Sequence, residues 1–453
     1  MRGTSIKFAV AAALAAVVLA ACTAGRTTAA PAAGAGSSTT GSPTASSSPV
    51  VTVPPVPAVT SATSSMTPAT STPDLTTSSA PATTSSPKPP PVVIPAATFS
   101  ASPRIGSTGL PPRTAISLKA AHGTLAGVTM KGSDGTVVKG TLSADRTTWT
   151  LAEPLGYSST YTLSGKAVGA TGKAVPIAGT YGTVSPDNVI SANISPGDAD
   201  TVGIAAPILI SIGTDIMNTV GRQNIEKAIT IDTVPKTQGS FAWIQHDDGW
   251  GLDWRPKVYW APGTKVSVKA NLYGVSYGEN LWGKQDLTSN FIIGRSEITK
   301  GDINTHHLKV YRDGKLVFDF PTSFGLESDP GRVTHGGTYI VMSKEYLHLM
   351  SNPAYHYFNF KAYYAVRISN NGTFIHANDG TADVQGYDNV THGCANLTTS
   401  NAKAFYDQTM YGDPVEITNS SIPMSQSDGD VYDWSIPWDK WQTLSALSKS
   451  YVG

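Results

Sequence analysis

Only two cysteines occur in this 453-residue chain, and each stands in an informative position. Cys394 lies within THGCANL, which runs from Thr391 to Leu397, and Cys22 follows an apolar N-terminal run. A thiolate attacks a carbonyl carbon efficiently when a nearby base takes its proton and donors stabilise the developing oxyanion. Cys394 is therefore a candidate nucleophile for acyl transfer, and a buried, inert thiol is the alternative.

A histidine suited to the role of base precedes Cys394 in the stretch FIHANDGTADVQGYDNVTHGCANL. His376 ends an apolar segment with the pattern of a strand. Because an imidazole titrates near neutral pH, His376 is expected to raise the thiolate fraction of Cys394. Gly393 lets the backbone approach a substrate closely, and the amides of Gly393 and Cys394 are candidate oxyanion donors.

The same stretch resembles the signature of L,D-transpeptidases, with a histidine eighteen residues before a cysteine in THGCAN. The likeness continues through SNAKAFYDQTMYGDPVEITNS and DWSIPWDKW, covers about residues 296–441, and is similar to the mycobacterial and actinobacterial branch. The resemblance implies attack on the third residue, meso-diaminopimelate, of a peptidoglycan tetrapeptide stem, with loss of D-Ala. The side-chain amine of another stem then accepts the acyl group, which gives a 3→3 cross-link.

The resemblance assigns roles to residues of this chain. Cys394 becomes the nucleophile, His376 the general base and later acid, and His392 a supporting residue. Gly393 and Cys394 would supply the oxyanion donors. No cofactor and no metal are expected, and carbapenems are expected to inhibit covalently. The residues expected to contact substrate are Phe358, Asn371, Gly372, Thr391 and Asn396.

The family also has a mobile flap over its site, for which the aromatic segment KEYLHLMSNPAYHYFNF, Lys344 to Phe360, is the candidate. A β-hairpin packed on the sheet is an equally compatible reading. His348 and His356 are eight residues apart, which is not a metal-ligand spacing. The chain departs from the family pattern at Ala377, where many relatives have Ser, and at Phe358, where this branch often has Tyr.

The N-terminus has the pattern of an export signal. Arg2 and Lys7 flank the start of FAVAAALAAVVLAA, whose fourteen residues fall short of the roughly 20 that span a bilayer. The run ends in LAAC, which resembles the bacterial lipobox, so residues 1–21 are expected to be removed and Cys22 acylated. This predicts a lipid anchor on the outer face of the cytoplasmic membrane, within the cell envelope. A plain signal peptide with an incidental cysteine is the alternative.

Residues 22–102 consist almost entirely of Ala, Pro, Ser, Thr, Gly and Val. Such a composition buries too little apolar surface to offset the entropy of ordering, which predicts a disordered tether. About 80 residues of random coil reach roughly 50 Å.

Beyond the tether, the chain shows short alternating runs separated by turn residues, which predicts a mainly β fold. Trp149 and Trp254 are 105 residues apart, consistent with two tandem immunoglobulin-like sandwiches over residues 103–184 and 185–295. Neither module contains a cluster of ionisable groups that suggests chemistry.

A third, β-rich catalytic domain with a few short helices is predicted over residues 296–420. Asp313-Gly314 between two alternating runs is a strong hairpin signal, and TSNAKAFYDQTM predicts a helix capped by Thr399 or Ser400. The remaining residues, 421–453, form an extension with three tryptophans. It is expected to pack back on the catalytic domain and to be helical from Asp439 to Ser448.

Other functions compete with this interpretation. The net charge is zero, with 32 basic and 32 acidic residues, which gives no indication of a nucleic-acid partner. Sortases, as a family, need an arginine downstream of the cysteine, and none follows Cys394. An L,D-carboxypeptidase would use the same residues and give the acyl group to water. A lipid-anchored wall-binding scaffold would also have the tether and sandwiches, but it would not need Cys394 and His376.

Overall fold

The computed structural model describes residues 94–429 and 431–449. Strands far outnumber helices in these ranges, so the predicted mainly β fold is confirmed. No helix within them is both long and apolar enough to cross a membrane. The predicted signal peptide, Cys22 and most of the predicted tether lie outside the described residues.

The first unit is a two-sheet sandwich. Its strands are β1 (Thr98–Ser102), β2 (Ser117–Ala121), β3 (Gly123–Gly132), β4 (Val137–Val138), β5 (Gly140–Leu142), β6 (Thr148–Leu151), β7 (Thr160–Gly169) and β8 (Ala174–Gly182). One sheet has the order β1-β2-β6-β5 and the other β4-β3-β7-β8. Side chains alternate across each strand, so Tyr161 and Leu163 of β7 both enter the core.

The predicted boundary between tether and first sandwich, residue 102, is wrong. Strand β1 already belongs to the sandwich, because it pairs with β2 from Thr98 opposite Ala121 onward. Phe99 and Ala101 of β1 pack against the buried core of this unit. Only two apolar residues, Phe99 and Ala101, alternate with Thr and Ser in TFSAS, and this pattern is too short to separate the strand from the tether.

The second unit is another sandwich. Its elements are β9 (Asn188–Ile190), β10 (Ala192–Ser195), β11 (Thr201–Val202), β12 (Ile208–Ile212), α1 (Thr219–Lys227), β13 (Ile229–Val234), β14 (Gly239–His246), β15 (Gly249–Pro256), β16 (Lys265–Ala270), β17 (Ser276–Gly278), β18 (Leu281–Gly283) and β19 (Leu287–Ile293). The main sheets have the orders β10-β12-β15-β14 and β11-β19-β16-β13, and a small sheet is β17-β18-β9.

Trp149 and Trp254 occupy matching positions in the two sandwiches. Each indole covers a glycine on a neighbouring strand, Gly140 in the first unit and Gly239 in the second. A Cβ on either glycine would lie 2.0 Å from the indole ring, so only glycine leaves room for the tryptophan. The 105-residue interval in the sequence thus reflects a repeated packing arrangement.

The third unit carries the candidate site. Its elements are β20 (Glu297–Asp302), β21 (His307–Arg312), β22 (Lys315–Pro321), β23 (Gly337–Ile340), β24 (Ser343–Asn352), β25 (Tyr357–Arg367), β26 (Phe374–Ala377), β27 (Ala395–Leu397), α2 (Thr399–Gln408) and β28 (Pro414–Thr418). A five-stranded sheet has the order β22-β21-β20-β28-β23, and a four-stranded sheet the order β24-β25-β26-β27. Buried side chains from both sheets share one core with Phe405 of α2.

Short 3₁₀ helices and one more α-helix complete the described chain. The 3₁₀ helices are Pro353–Tyr355, Asp379–Thr381, Gln426–Asp428 and Asp433–Ser435, and the last helix is α3 (Trp438–Thr443). Helix α3 is shorter than the predicted helix 439–448. The N-cap of α2 is Thr398, whose side chain accepts from the amide of Asn401, so the predicted cap was wrong by one residue.

The C-terminal extension packs on the catalytic unit as predicted, and it also packs on the second sandwich. Trp434 donates through Nε1 to the carbonyl of Ala205 at 2.8 Å, and Trp441 donates to that of Ser240 at 2.9 Å. The Arg255 guanidinium lies over the rings of both tryptophans, at 4.7 Å from each centroid. Both indoles find their polar partners on the neighbouring sandwich.

Candidate active site

The hairpin β24–β25 and the adjoining strands β26 and β27 enclose a cleft of about 240 Å³. Five predicted site residues line it: His376, Thr391, His392, Cys394 and Asn396. The segment Lys344 to Phe360 forms a hairpin of the sheet, and its distal half forms a wall of the cleft. The mobility expected of a flap stays a prediction.

Parallel pairing of β26 with β27 brings the thiol and the imidazole into one cleft. His376 is opposite Asn396 in this pairing, and Cys394 immediately precedes β27. Adjacent strands are about 4.8 Å apart, so side chains on one face of the pair can reach each other. The seventeen residues between His376 and Cys394 form the connection that returns the chain alongside β26.

His376 is held in one orientation by the backbone. Its side chain is buried, with 3% of the residue exposed, and Nδ1 lies 2.9 Å from the carbonyl oxygen of Ala377. When Nδ1 carries the proton and donates it to this carbonyl, Nε2 is left as the basic nitrogen. The missing hydroxyl at Ala377 therefore does not affect this contact, because the acceptor is the main-chain carbonyl.

Burial favours the uncharged forms of the Cys394 thiol and the His376 imidazole in the resting site. Burial lowers the pKa of His376 to about 4, although its hydrogen bond to Ala377 acts in the opposite direction. Burial raises the pKa of the Cys394 thiol to about 11, opposed by the Phe374 amide and the charge of Arg367. The thiol lies 3.7 Å from the carbonyl oxygen of Gly372, to which it donates. The site thus favours a neutral thiol and a neutral imidazole, in place of the raised thiolate fraction expected from the sequence.

Two threonine hydroxyls fix the backbone around the thiol, in residues 391–394, here called the nucleophile loop. Thr391 donates to the carbonyl of Cys394 at 2.6 Å, and Thr334 donates to that of Gly393 at 2.9 Å. Gly393 has a φ of +108°, which residues with a Cβ rarely adopt. Thr391 was predicted to contact substrate, but its hydroxyl is buried and bound within the loop.

His392 connects the nucleophile loop to the tip of the hairpin. Its ring lies 4.9 Å from that of Tyr355 and 5.4 Å from that of Tyr357, centroid to centroid. Burial lowers the pKa of His392, followed by the positive charge of Arg332. Its supporting position therefore involves aromatic packing against the wall of the cleft.

Phe358 does not line the cleft, which corrects its predicted position. It is 63% exposed, whereas Tyr357 and Phe360 contribute to the lining. His356 and Asn359 have φ values of 57° and 54°, so the regular alternation of the strand is broken at both positions. The eighteen-residue spacing to the histidine could not reveal these two local irregularities.

Asn371 and Gly372 have different positions. Asn371 does not line the cleft, because its Nδ2 donates to Asp428 at 3.2 Å and its Oδ1 accepts from Ser369. Gly372 is at the site through its carbonyl, which accepts from the thiol. Asn396 is at the cleft as expected, and its Oδ1 is buried with no hydrogen-bond partner among the residues that the structure describes.

Sequence reasoning missed several residues of the cleft wall. The aromatic density of the hairpin indicated the region of Tyr357 and Phe360 but not which rings face inward. Asn378 and Thr381 follow His376 closely, and this proximity was the only signal for them. The residues missed in the lining are Met350, Tyr357, Phe360, Asn378, Thr381 and Val390.

His348 has a partner outside the cleft lining. Its Nδ1 lies 2.9 Å from Oε2 of Glu345, and its ring stacks on Phe374 with centroids 4.6 Å apart. Within residues 94–429 and 431–449, no group of three or more His, Cys, Asp or Glu side chains could hold a metal ion.

Comparison with known proteins decides the family. A Bacterial Ig domain model matches residues 107–276, and an L,D-transpeptidase catalytic domain model matches residues 298–417. L,D-transpeptidase 5 of Mycobacterium tuberculosis is 44% identical over 362 residues, which cover 80% of this chain and 78% of that protein. The chain belongs to the L,D-transpeptidase family. It is a peptidoglycan L,D-transpeptidase, as the resemblance in its sequence predicted.

Other L,D-transpeptidases match the enzyme with lower sequence identity or over a smaller part of the chain. L,D-transpeptidase 2 of Mycobacterium tuberculosis is 36% identical over 355 residues, which cover 77% of this chain and 85% of that protein. A solved L,D-transpeptidase in complex with imipenem is 30% identical and covers 51% of this chain and 100% of its own, with a TM-score of 0.43.

Proposed function

We propose that Cys394 is the nucleophile of this transpeptidase and that His376 is its general base and acid, in a reaction that forms 3→3 cross-links. The observation that carries this assignment is the shared cleft, in which the Nδ1 of His376 is engaged by Ala377 and Nε2 is left for proton transfer. Such an arrangement of nucleophile, base and orienting group is the general pattern of activated thiols and hydroxyls.

Acylation begins from the neutral pair. As Sγ of Cys394 attacks the carbonyl carbon of the third stem residue, the thiol proton passes to Nε2 of His376. The carbonyl oxygen becomes an oxyanion, for which the amides of Gly393 and Cys394 are the proposed donors. The imidazolium then gives its proton to the leaving amine of D-Ala, the C–N bond breaks, and a thioester remains.

The second half-reaction reverses these steps with a new amine. The side-chain amine of another stem attacks the thioester carbon and loses a proton to Nε2 of His376. The C–S bond then breaks and Cys394 takes the proton back. Water in place of the amine would give an L,D-carboxypeptidase with the same residues.

Product analysis tests the assignment. The purified full-length chain is incubated with disaccharide-tetrapeptides, and the products are weighed by mass spectrometry. We expect cross-linked dimers with loss of D-Ala from the native protein and from His122→Asn, an exposed histidine of the first sandwich. Cys394→Ala is expected to give none and His376→Gln at least 100-fold less. Dimers from Cys394→Ala would overturn the assignment, and tripeptide without dimer would change it to hydrolysis.

We also propose that the enzyme is a lipoprotein of the cell envelope, held at the outer face of the cytoplasmic membrane. The lipobox-like LAAC with Cys22 supports this location, which would place the catalytic unit near the wall for cell wall organisation and cell shape. One acyl chain anchors only weakly, whereas the several chains of a bacterial lipoprotein anchor stably. Cys22→Ala should move the protein from the membrane fraction to the soluble fraction, and unchanged fractionation would contradict the proposal.

Carbapenems are proposed as covalent inhibitors at Cys394. Their strained amide presents the same kind of carbonyl to the thiol and the oxyanion donors. Intact-mass measurement should show one adduct on the native chain and none on Cys394→Ala. An adduct of equal yield on that variant would place the reaction elsewhere.

A further inference from the structure

A guanidinium hydrogen-bonds to the backbone where the nucleophile loop begins. Arg332 lies in the connection between β22 and β23 and donates through Nε to the carbonyl of Thr391 at 3.0 Å. Its Nη2 donates to the carbonyl of Val390. Both acceptors belong to residues that line the cleft. The main-chain oxygen of Arg332 is itself 3.9 Å from the position of a Cβ on Gly393, so this connection is in contact with the loop.

The charge of Arg332 is not matched by an anion. Its partners are neutral carbonyls, and it forms no ion pair with a carboxylate among the described residues. The Nη1 group, with two N–H donors, binds no other described residue. Because a half-buried guanidinium makes its strongest hydrogen bonds to carboxylates, Arg332 retains unused capacity for an anionic ligand.

The nearby carboxylate of Asp329 does not form an ion pair with Arg332 and has other hydrogen-bond partners. Asp329 accepts from the hydroxyl of Tyr355 at 3.3 Å and from the amide of Gly331 at 3.1 Å. For the titration of His392, Arg332 has a larger effect than Asp329, and for Tyr355 the order is reversed. The hydrogen bonds place Asp329 beside the hairpin tip at Tyr355 and the Arg332 guanidinium beside the backbone of Val390 and Thr391, whose residues line the cleft.

We propose that Arg332 is a specificity residue that recognises a carboxylate of the donor stem peptide. The inference rests on the proposed function, in which the attacked carbonyl lies at Cys394. The carboxylate of the leaving D-Ala is two bonds beyond the scissile nitrogen, so its oxygens lie about 4–5 Å from the attacked carbon. A donor bound in the cleft would bring this group beside the nucleophile loop that Arg332 supports. The side-chain carboxylate of diaminopimelate is the other source of the same chemistry.

Three synthetic donors distinguish the sources and separate recognition from support of the loop. One is the tetrapeptide with all its carboxylates free, one has a C-terminal carboxamide, and one has a carboxamide on diaminopimelate. Turnover of each is measured with the full-length native chain, Arg332→Gln, Arg332→Lys and Arg104→Gln. The last variant is the matched control, because Arg104 is exposed on the first sandwich.

We expect the native enzyme to use the C-terminal carboxamide about 10- to 100-fold less efficiently, by kcat/KM, than the free donor. Arg332→Gln should lose most of this preference, Arg332→Lys should keep part of it, and Arg104→Gln should keep all of it. The alternative result is a native enzyme that uses the donor amidated at diaminopimelate less efficiently and the C-terminal carboxamide normally. If Arg332→Gln then loses that difference, the recognised carboxylate is the one on diaminopimelate.

Equal loss of turnover on all three donors in Arg332→Gln would reduce Arg332 to a support of the loop and overturn the proposal. A native enzyme that uses the three donors alike would also overturn it. If thermal melting shows that Arg332→Gln does not fold, the proposal is tested by the kcat/KM values of the native enzyme and of Arg332→Lys on the three donors. A native enzyme inactive on every donor would instead contradict the proposed function, and the inference with it.

Discussion

The neutral resting state of the catalytic pair predicts how fast Cys394 reacts with a disulfide reagent. With a pKa of about 11, the thiolate fraction at pH 7.5 is about 300-fold below that of an ordinary thiol of pKa about 8.5. A more basic thiolate is a better nucleophile, by about 10-fold for this difference. The lower thiolate fraction outweighs the higher nucleophilicity, so Cys394 should react roughly 20- to 30-fold more slowly than an exposed cysteine.

The assay uses a Cys22→Ala background, in which Cys394 is the only thiol. Exchange with an uncharged dipyridyl disulfide is followed from pH 6 to 10.5. The logarithm of the rate should rise steadily with pH, with no plateau below about pH 10. Since burial keeps His376 neutral above its pKa of about 4, His376→Gln should change this rate less than about two-fold. The same variant should lower acyl transfer by about 10²- to 10⁴-fold, because there the imidazole takes the proton in the transition state.

A plateau below pH 8 would refute this reasoning. So would a ten-fold slower exchange in His376→Gln. Either result would mean that the resting site holds a thiolate beside an imidazolium, as in thiol enzymes whose histidine lowers the cysteine pKa. Cys394→Ala in the same background controls for reaction at other groups.

Three further predictions concern the support of the site. Gly393→Ala should lower kcat/KM by about 5- to 150-fold, because a Cβ at φ +108° costs about 1–3 kcal/mol. Full activity would show that the loop tolerates the strain. Burial, followed by the charge of Asp253, raises the pKa of Asp433, so the folded state favours the protonated carboxyl and loses stability as pH rises above about 4. Asp433→Asn should therefore raise the Tm at pH 7.5 but not at pH 4. A lower Tm at pH 7.5 would contradict this. Trp441→Ala should cost about 3–5 kcal/mol in urea unfolding, against less than about 0.5 for exposed Lys440→Ala.

Much of the fold was predictable because its signals are local. The Asp313-Gly314 turn lies between β21 and β22 as expected, since both residues adopt the positive φ that such a turn requires. The two sandwiches were visible in a tryptophan repeat. Strand β1 and the end of α3 were misplaced, because short elements at the ends of units depend on pairing with distant segments more than on their own pattern.

The sequence by itself determined the chemistry: a cysteine, a histidine and a glycine at fixed spacing, on a chain whose alternating runs fold as sheets. Only the tertiary structure decided which residues surround that chemistry. Tyr357 and Phe360 both face the cleft although they are three residues apart, because the positive φ of Asn359 interrupts the alternation of the strand. The pKa values of the thiol and the imidazole depend on burial, which no local pattern states. Arg332 reaches the nucleophile loop from about sixty residues away along the chain, and such a contact exists only once the two sheets have packed together.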